Sequence, residues 1–319
     1  MAASRGLGST GRSVFPVGLG CMGLSWGYRD HSVDENAGIS LIREAIDLGV
    51  DHFDTANVYG PFTNEKLIGR ALAGRRDRVV LATKCGLVIE DKATYAYGRE
   101  GRPEHVREAC DASLSRLGVD VIDLYYLHRI DPKTPVEETW TAMAGLVAAG
   151  KVRWLGVSEP SVAELDRISA IHPVTAVQSE MSLWTRDHLE DVVPWCAAHG
   201  ASFVAFSPLG RGFLTGAIGS DARFGPEDFR SKLPRFRPEA VAENQRLVEH
   251  VRAIAERRGA TPAQIALAWV LSRGEHVLAI PGTQRRRYLE QNVGAAEIRL
   301  TPEELAELDR LPAPVGGRY

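Results

Sequence analysis

The 319-residue chain is poor in cysteine, and its four, Cys21, Cys85, Cys110 and Cys196, never form a C-x-x-C pair. That spacing argues against a disulfide framework or a structural zinc site and suits a reducing compartment. Charge of one sign is scarce as well. A net charge of −3 offers no basic surface for nucleic acid or an anionic membrane. No stretch reaches the run of about 18 apolar residues that reads as a membrane helix, and Met1 to Ser13 lack the apolar core of a signal peptide. These absences lead to the expectation of a cytoplasmic protein with no membrane, nucleic-acid or metal partner. What remains is ordinary globular material, 44% hydrophobic and 25% charged, long enough for one α/β barrel or two smaller domains.

Short β-rich runs recur at 17–21, 51–54, 78–83, 121–127, 152–157, 174–178, 202–206 and 276–280. Several, such as Val79-Val80-Leu81-Ala82 and Phe203-Val204-Ala205-Phe206, are apolar throughout, as strands buried on both faces are. Helix starts lie between them. Ser32-x-x-Glu35, Ser161-x-x-Glu164, Thr261-Pro262-x-Gln264 and Thr301-Pro302-x-Glu304 read as capping boxes, and Thr134-Pro135-x-Glu137 as a variant. Trp140, Met143, Ala144 and Val147 make one apolar stripe behind that variant, with a stop at Gly150; Gly49 ends the first helix. Strict alternation through eight strands predicts a single (β/α)8 barrel over residues 1–319, with no linker. Leu7 to Arg12 reads as an N-terminal β-hairpin plugging the far end. Two long polar stretches, 87–102 and 216–237, follow strands and would lie over the C-terminal mouth.

Gly18-Leu19-Gly20-Cys21-Met22-Gly23 matches G-x-G-x-x-G, but a dinucleotide fingerprint needs a helix immediately afterwards. Leu24 to Asp30 is a poor helix start, so these glycines read as a tight strand exit.

Three consecutive strands end in polar residues. Asp54 and Tyr59 follow the second, Lys84 the third and His128 the fourth. Each alone has a bland reading: a cap, a rim aromatic, a solvated strand end, a core histidine. In a barrel the four converge on one mouth. There an ammonium favours the phenolate of a tyrosine and eases proton donation, a carboxylate holds the ammonium, and an imidazole orients an oxygen. Such a set suits protonation of the alkoxide that develops when a carbonyl accepts hydride.

These residues stand in longer motifs: Asp54-Thr55-Ala56-x-x-Tyr59-Gly60-x-x-x-Asn64-Glu65, Ala82-Thr83-Lys84 and Asp123-Leu124-Tyr125-Tyr126-Leu127-His128. Further on come Gly150-Lys151-Val152-Arg153-x-Leu155-Gly156-Val157-Ser158, Phe206-Ser207-Pro208-Leu209-Gly210-Arg211-Gly212 and Ile280-Pro281-Gly282-Thr283. Together they resemble the aldo-keto reductases from about Val14 to Leu311. The likeness is strongest to the bacterial and fungal branch with His-Arg after the fourth strand. It implies an NADPH-dependent oxidoreductase of small aldehydes or ketones. Tyr59 would be the general acid, Lys84 and Asp54 its tuners, and His128 the group that orients the substrate. Ser158 and Gln178 would hold the nicotinamide carboxamide, and Phe206 would stack on its ring in place of the usual tyrosine. Ser207, Leu209, Gly210 and Gly212 would encircle the pyrophosphate. Thr283, Gln284, Arg285, Tyr288, Gln291 and Asn292 would meet the adenosine end, where Arg285-Arg286-Arg287 at a helix start suits a 2′-phosphate.

Three positions depart from the family pattern. Glu159 stands where Asn is common, and Gln284 and Ala217 stand where lysine is. Met22, Trp26, Arg129 and the two long stretches would set substrate choice, with an apolar or aromatic pocket expected from the first two residues. Arg129 either attracts an acidic substrate or binds a backbone carbonyl. A homo-oligomer is compatible with the sequence. Two other functions fit the same residues: a barrel using Lys84 as a Schiff-base nucleophile, which Asp54 should disfavour by raising its pKa, and an NADPH-binding regulatory subunit with little turnover.

Overall fold

The computed structural model describes residues 3–26, 34–91, 96–226 and 228–319. Its strands in chain order are β1 (Arg5–Gly6), β2 (Ser13–Val14), β3 (Leu19–Gly20), β4 (His52–Asp54), β5 (Val80–Cys85) and β6 (Leu87–Asp91). They continue as β7 (Ala96–Arg99), β8 (Ile122–Leu127), β9 (Val152–Ser158), β10 (Ala176–Glu180), β11 (Ser202–Phe206) and β12 (Val277–Ala279). Eight of them form one parallel sheet in the order β12-β11-β10-β9-β8-β5-β4-β3. A parallel bridge between Val17 and Ala279, with Gly18 N–H donating to the Ala279 carbonyl at 2.8 Å, joins the last strand to the first and closes the (β/α)8 barrel. All eight expected strands are present.

The doubly buried runs have two destinations. Leu81 faces the helices, whereas Val80 and Ala82 pack inside the barrel with Leu124, Tyr126, Ala176, Val204 and Leu278. Leu7 and Val14 join that interior from the β1–β2 hairpin, so the hairpin does plug the end opposite the mouth. The first strand is shorter than expected because Gly18 and Gly20 pack main chain against main chain. A Cβ on Gly20 would lie 2.6 Å from the Ile280 carbonyl oxygen. The G-x-G-x-x-G match is therefore a barrel seam, followed only by a three-residue 3-10 turn, Met22–Leu24.

Three capping boxes, at Ser161, Thr261 and Thr301, form as expected. Two start signals differ. Ser32 lies outside the described residues, and the helix Glu35–Asp47 is capped by Asp34, whose side chain accepts from Asn36 N–H. At the helix Val136–Ala148 the cap position is Pro135, and the Thr134 hydroxyl donates instead to Asp131 at 3.2 Å. Within 87–102 the described residues include two strands, β6 and β7, which pair antiparallel over the mouth. Residues 216–237 contain two short 3-10 turns and lead into a 21-residue helix, Pro238–Arg258, whose start is marked by Pro238 and Glu239 although Arg237 provides no side-chain cap. No described helix is long and apolar enough to cross a membrane.

His52, inside the barrel beneath the mouth, is fully buried, and neither ring nitrogen has a hydrogen-bond partner among the described residues. Burial pushes its pKa down from 6.5 to about 4, with Asp54 opposing and Lys84 adding to the shift. The folded value lies below the unfolded one, so the unfolded chain protonates first as pH falls. The contribution to stability is complete above about pH 6.5 and is lost between 6.5 and 4. Over the whole window the shift corresponds to about 3 kcal/mol at most. His52→Phe should flatten the stability–pH curve there, as read by urea melts at pH 6.5, 5 and 4. An unchanged slope in the variant would rule out His52 as its source.

Candidate active site

Asp54 is the last residue of β4 and Lys84 lies near the end of β5, and both side chains point inward. Lys84 Nζ is fully buried and donates to Asp54 Oδ1 at 2.5 Å and to the Thr55 carbonyl at 2.7 Å. The other carboxylate oxygen of Asp54 accepts from Gln178 Nε2 at 2.8 Å. Burial lowers the Lys84 pKa, with Asp54 opposing that shift. The expected rise from Asp54 is therefore real but is outweighed by burial. Nζ is nonetheless tied to two oxygens, the Asp54 carboxylate and the Thr55 carbonyl, which keeps it from the attacking position a Schiff base needs.

Tyr59 follows β4 after a turn that the sequence builds with care. Gly60 has φ +69°, and a Cβ there would meet Thr63 Oγ1 and Ser25 Oγ. Asn64, fully buried at the start of the helix Thr63–Leu72, ties the turn down. It accepts from the Thr55 hydroxyl at 2.6 Å and donates to the Cys21 carbonyl at 2.9 Å. Glu65 beside it accepts from Thr83 Oγ1 at 2.6 Å and pairs with Arg116. Asn64 and Glu65 were visible only as motif letters; their function is to hold the loop bearing Tyr59 against β5. Lys84 Nζ then lies 5.2 Å from the Tyr59 ring centre, and the His128 ring meets Tyr59 edge-on at 6.0 Å. The four residues do converge.

Burial, then Lys84 and Arg129, push the His128 pKa well below its ordinary value, so the imidazole is neutral at pH 7. A neutral imidazole carries one N–H to donate. Its Nδ1 is buried without a partner among the described residues.

Trp26 stacks near Tyr59 at 6.2 Å and meets Tyr97 edge-on at 5.6 Å and Phe229 at 6.2 Å. The last two come from the two long stretches expected to set substrate choice, Tyr97 from β7 and Phe229 from the turn Phe229–Lys232, although neither residue was named from the sequence. Met22 is half-buried on the adjoining turn. Arg129 donates to the His128 carbonyl at 2.6 Å and to Ser158 Oγ at 2.9 Å. The carbonyl contact expected as one alternative is present.

On the far side of the mouth, Phe206 ends β11. From Ser207 to Gly212, four residues, Ser207, Gly210, Arg211 and Gly212, have positive φ between +48° and +92°. Left-handed turns in close succession let the backbone approach a ligand closely, while the Gly210 and Gly212 N–H groups donate within the turn to the Ser207 and Leu209 carbonyls at 2.9 and 3.1 Å. Gly210 also packs on Trp184, with 2.7 Å from a Cβ to the ring. Pro281 and Gln284 abut the first strand: the Pro281 carbonyl accepts from Gly20 N–H, and Gln284 Nε2 donates to the Gly23 carbonyl. The helix Arg286–Gly294 starts there, with Thr283 Oγ1 accepting from Arg285 N–H, Arg285 near the Tyr288 ring, and Arg286 paired with Glu290. Asn292 is buried on that helix and Gln291 half-buried. A glycine turn open to close approach, an aromatic face beside it and cations at a helix start suit an extended dinucleotide. The donor set fits.

Glu159 was expected to unsettle one carboxamide contact. It has φ +58°, a conformation that asparagine tolerates better, and its carboxylate accepts from Glu180 N–H at 2.8 Å. Glu180, two residues beyond Gln178 on the same strand face, is buried and pairs with Arg211 and Arg318, both at 2.9 Å. Neither Glu180 nor Arg318 was picked out beforehand, although the period of two from Gln178 points to Glu180.

Comparison with known proteins agrees with this geometry. A family model described as "Aldo/keto reductase family" matches residues 16–313. The glycerol dehydrogenase of Gluconobacter oxydans superposes with a TM-score of 0.88 at 31% identity, covering 99% of this chain and 98% of that one. A thermostable aldo-keto reductase crystallised with the inhibitor epalrestat superposes with a TM-score of 0.78 at 29% identity, covering 96% and 98%. The chain belongs to the aldo/keto reductase family and is an oxidoreductase that works between carbonyl and CH–OH groups of small molecules with a nicotinamide cofactor.

Proposed function

We propose that this chain, acting as one barrel domain over residues 1–319, reduces small aldehydes or ketones with NADPH, using Tyr59 as the proton donor. The observation that carries the reading is the buried Lys84–Asp54 pair beside the Tyr59 ring, with His128 edge-on to the same ring. When bound, the reduced nicotinamide supplies hydride to the carbonyl carbon. The Tyr59 hydroxyl gives its proton to the carbonyl oxygen, and the Lys84 ammonium stabilises the phenolate that remains. Asp54 keeps Lys84 ionised and fixed, and Gln178 steadies Asp54. His128, being neutral, donates a hydrogen bond to the same oxygen and sets its approach.

Ser158 and Gln178 would hold the carboxamide and Phe206 the ring face. Ser207, Leu209, Gly210 and Gly212 would take the pyrophosphate, and Thr283, Gln284, Arg285, Tyr288, Gln291 and Asn292 the adenosine end. Arg285 and Arg287 favour a 2′-phosphate, hence NADPH over NADH. The box of Trp26, Tyr97 and Phe229 beside Met22 favours a flat, apolar substrate.

NADPH oxidation followed with aromatic aldehydes, methylglyoxal, pyridoxal and sugar-derived ketones tests this. Turnover is expected with at least the aromatic aldehydes. The kcat/KM for NADPH should exceed that for NADH by roughly ten-fold, as one charge-assisted contact of about 1.4 kcal/mol gives. Tight NADPH binding with no turnover of any carbonyl would instead point to a regulatory binder.

A further inference from the structure

Residues 315–319 cross the mouth on the side where the carboxamide and ring of a nicotinamide are assigned above. Their anchor lies off the barrel. Val315 N–H donates to Asn244 Oδ1 at 2.8 Å, and its carbonyl accepts from Asn244 Nδ2 at 3.1 Å. Asn244 is itself buried on the helix Pro238–Arg258. The Gly316 carbonyl accepts from Arg235 Nε at 3.2 Å, and Gly316 has φ +92° at a place where a Cβ would lie 2.9 Å from the 234–235 backbone.

The tip lies on the barrel. Arg318 pairs with Glu159 at 2.6 Å and with Glu180 at 2.9 Å, and its guanidinium is 5.6 Å from the Phe206 ring centre. Those three partners end, or directly follow, three neighbouring strands, β9, β10 and β11. Tyr319 accepts a hydrogen bond from Arg211 Nη2 at 3.3 Å. From the other direction Arg129 reaches the same place, on Ser158 Oγ and 6.0 Å from the Phe206 ring centre. Within residues 315–319, Arg318 thus engages the Phe206 ring, while Ser158 is held separately by Arg129.

From this overlap we propose that residues 315–319 form a displaceable strap that competes with the nicotinamide half of the dinucleotide and must lift for it to bind. The proposal rests on the assignment of Phe206 to the nicotinamide. The strap is built to lift. Gly317 lies between the anchored Gly316 and Arg318 and serves as the hinge. Tyr319 is 61% exposed, so releasing it uncovers little apolar surface. When Arg318 leaves, buried Glu180 keeps Arg211 at 2.9 Å and the Thr185 hydroxyl at 3.0 Å, and the partly exposed Glu159 is rehydrated. No carboxylate is left buried and bare, which is the costly outcome.

The test is the NADPH dissociation constant of the full chain, by titration of tryptophan fluorescence, against Arg318→Ala and a chain ended after Pro314. A closed strap reduces apparent affinity by the fraction of time it is open, so both variants should bind NADPH about three- to ten-fold more tightly, through faster association. An unchanged or weaker affinity in both, with the unaltered chain binding well, overturns the strap alone. If the unaltered chain fails to bind NADPH at all, the strap and the nicotinamide assignment fall together. A second measurement needs no variant: saturating NADPH should speed tryptic cleavage after Arg318, followed by intact mass. Protection of that bond by NADPH would also overturn the proposal.

Discussion

Tyr59→Phe should lower kcat for aldehyde reduction by about 10²–10⁴-fold while leaving NADPH affinity nearly unchanged. The variant keeps the aromatic ring, so the 6.2 Å stacking with Trp26 and the edge contact with His128 persist and the loop need not move. What is lost is one O–H. Water is a poor substitute donor in a site whose wall is formed by Trp26, Tyr97 and Phe229. The ammonium of Lys84 then has no phenolate to stabilise, so its own contribution vanishes with the hydroxyl, and the two effects are not additive. Retained turnover in Tyr59→Phe would mean that the proton comes from elsewhere, and His128 would be the next group to test. A matching loss of NADPH affinity would mean that Tyr59 is part of the cofactor site rather than a proton donor.

The barrel was legible because its strands are buried on two faces. A run such as Val79-Val80-Leu81-Ala82 must be apolar at every position when Leu81 meets helices and its neighbours meet the interior. The signal failed where burial is one-sided or absent. The β6–β7 hairpin is only half-buried over the mouth, so residues 87–102 show polarity without a strand rhythm. The first strand was overdrawn because glycines that pack main chain to main chain leave no side-chain pattern. Helix starts were decided by local competition: Asp34 is one of several polar residues near Glu35, and Thr134 is drawn away by Asp131.

The candidate site divides along the same line. Asp54, Tyr59, Lys84 and His128 stand at strand ends, and a barrel topology alone brings strand ends together. Contacts that depend on chain folding back from far away left no local trace. Arg318 meets Glu180 across 138 positions, and nothing in Val315-Gly316-Gly317-Arg318-Tyr319 announces that partnership. Arg129 was half legible: its backbone-carbonyl contact was one of two expected alternatives, whereas its second partner, the Ser158 hydroxyl, left no local signal.

Asp54→Leu should destabilise the fold by about 3–5 kcal/mol, because it strands an ammonium in the barrel interior. Lys84 is fully buried, and without Asp54 only the Thr55 carbonyl remains to receive Nζ. Lys84→Met should cost less, since Asp54 keeps the Gln178 amide at 2.8 Å and can take up a proton. Combining the two should recover most of the loss: exchanging a buried ion pair for apolar side chains of similar volume is often neutral or stabilising. The residual deficit would be the unpaired Gln178 amide, about 1–3 kcal/mol. Activity should not follow stability. The double variant, though folded, lacks the charge that stabilises the Tyr59 phenolate and should be as slow as either single variant. Urea midpoints set beside turnover numbers for all three separate the two roles. Single variants within about 1 kcal/mol of the parent would mean the pair is solvated and the low-dielectric argument for tuning Tyr59 is wrong. A folded double variant with parental turnover would remove Lys84 from the proton-transfer step altogether.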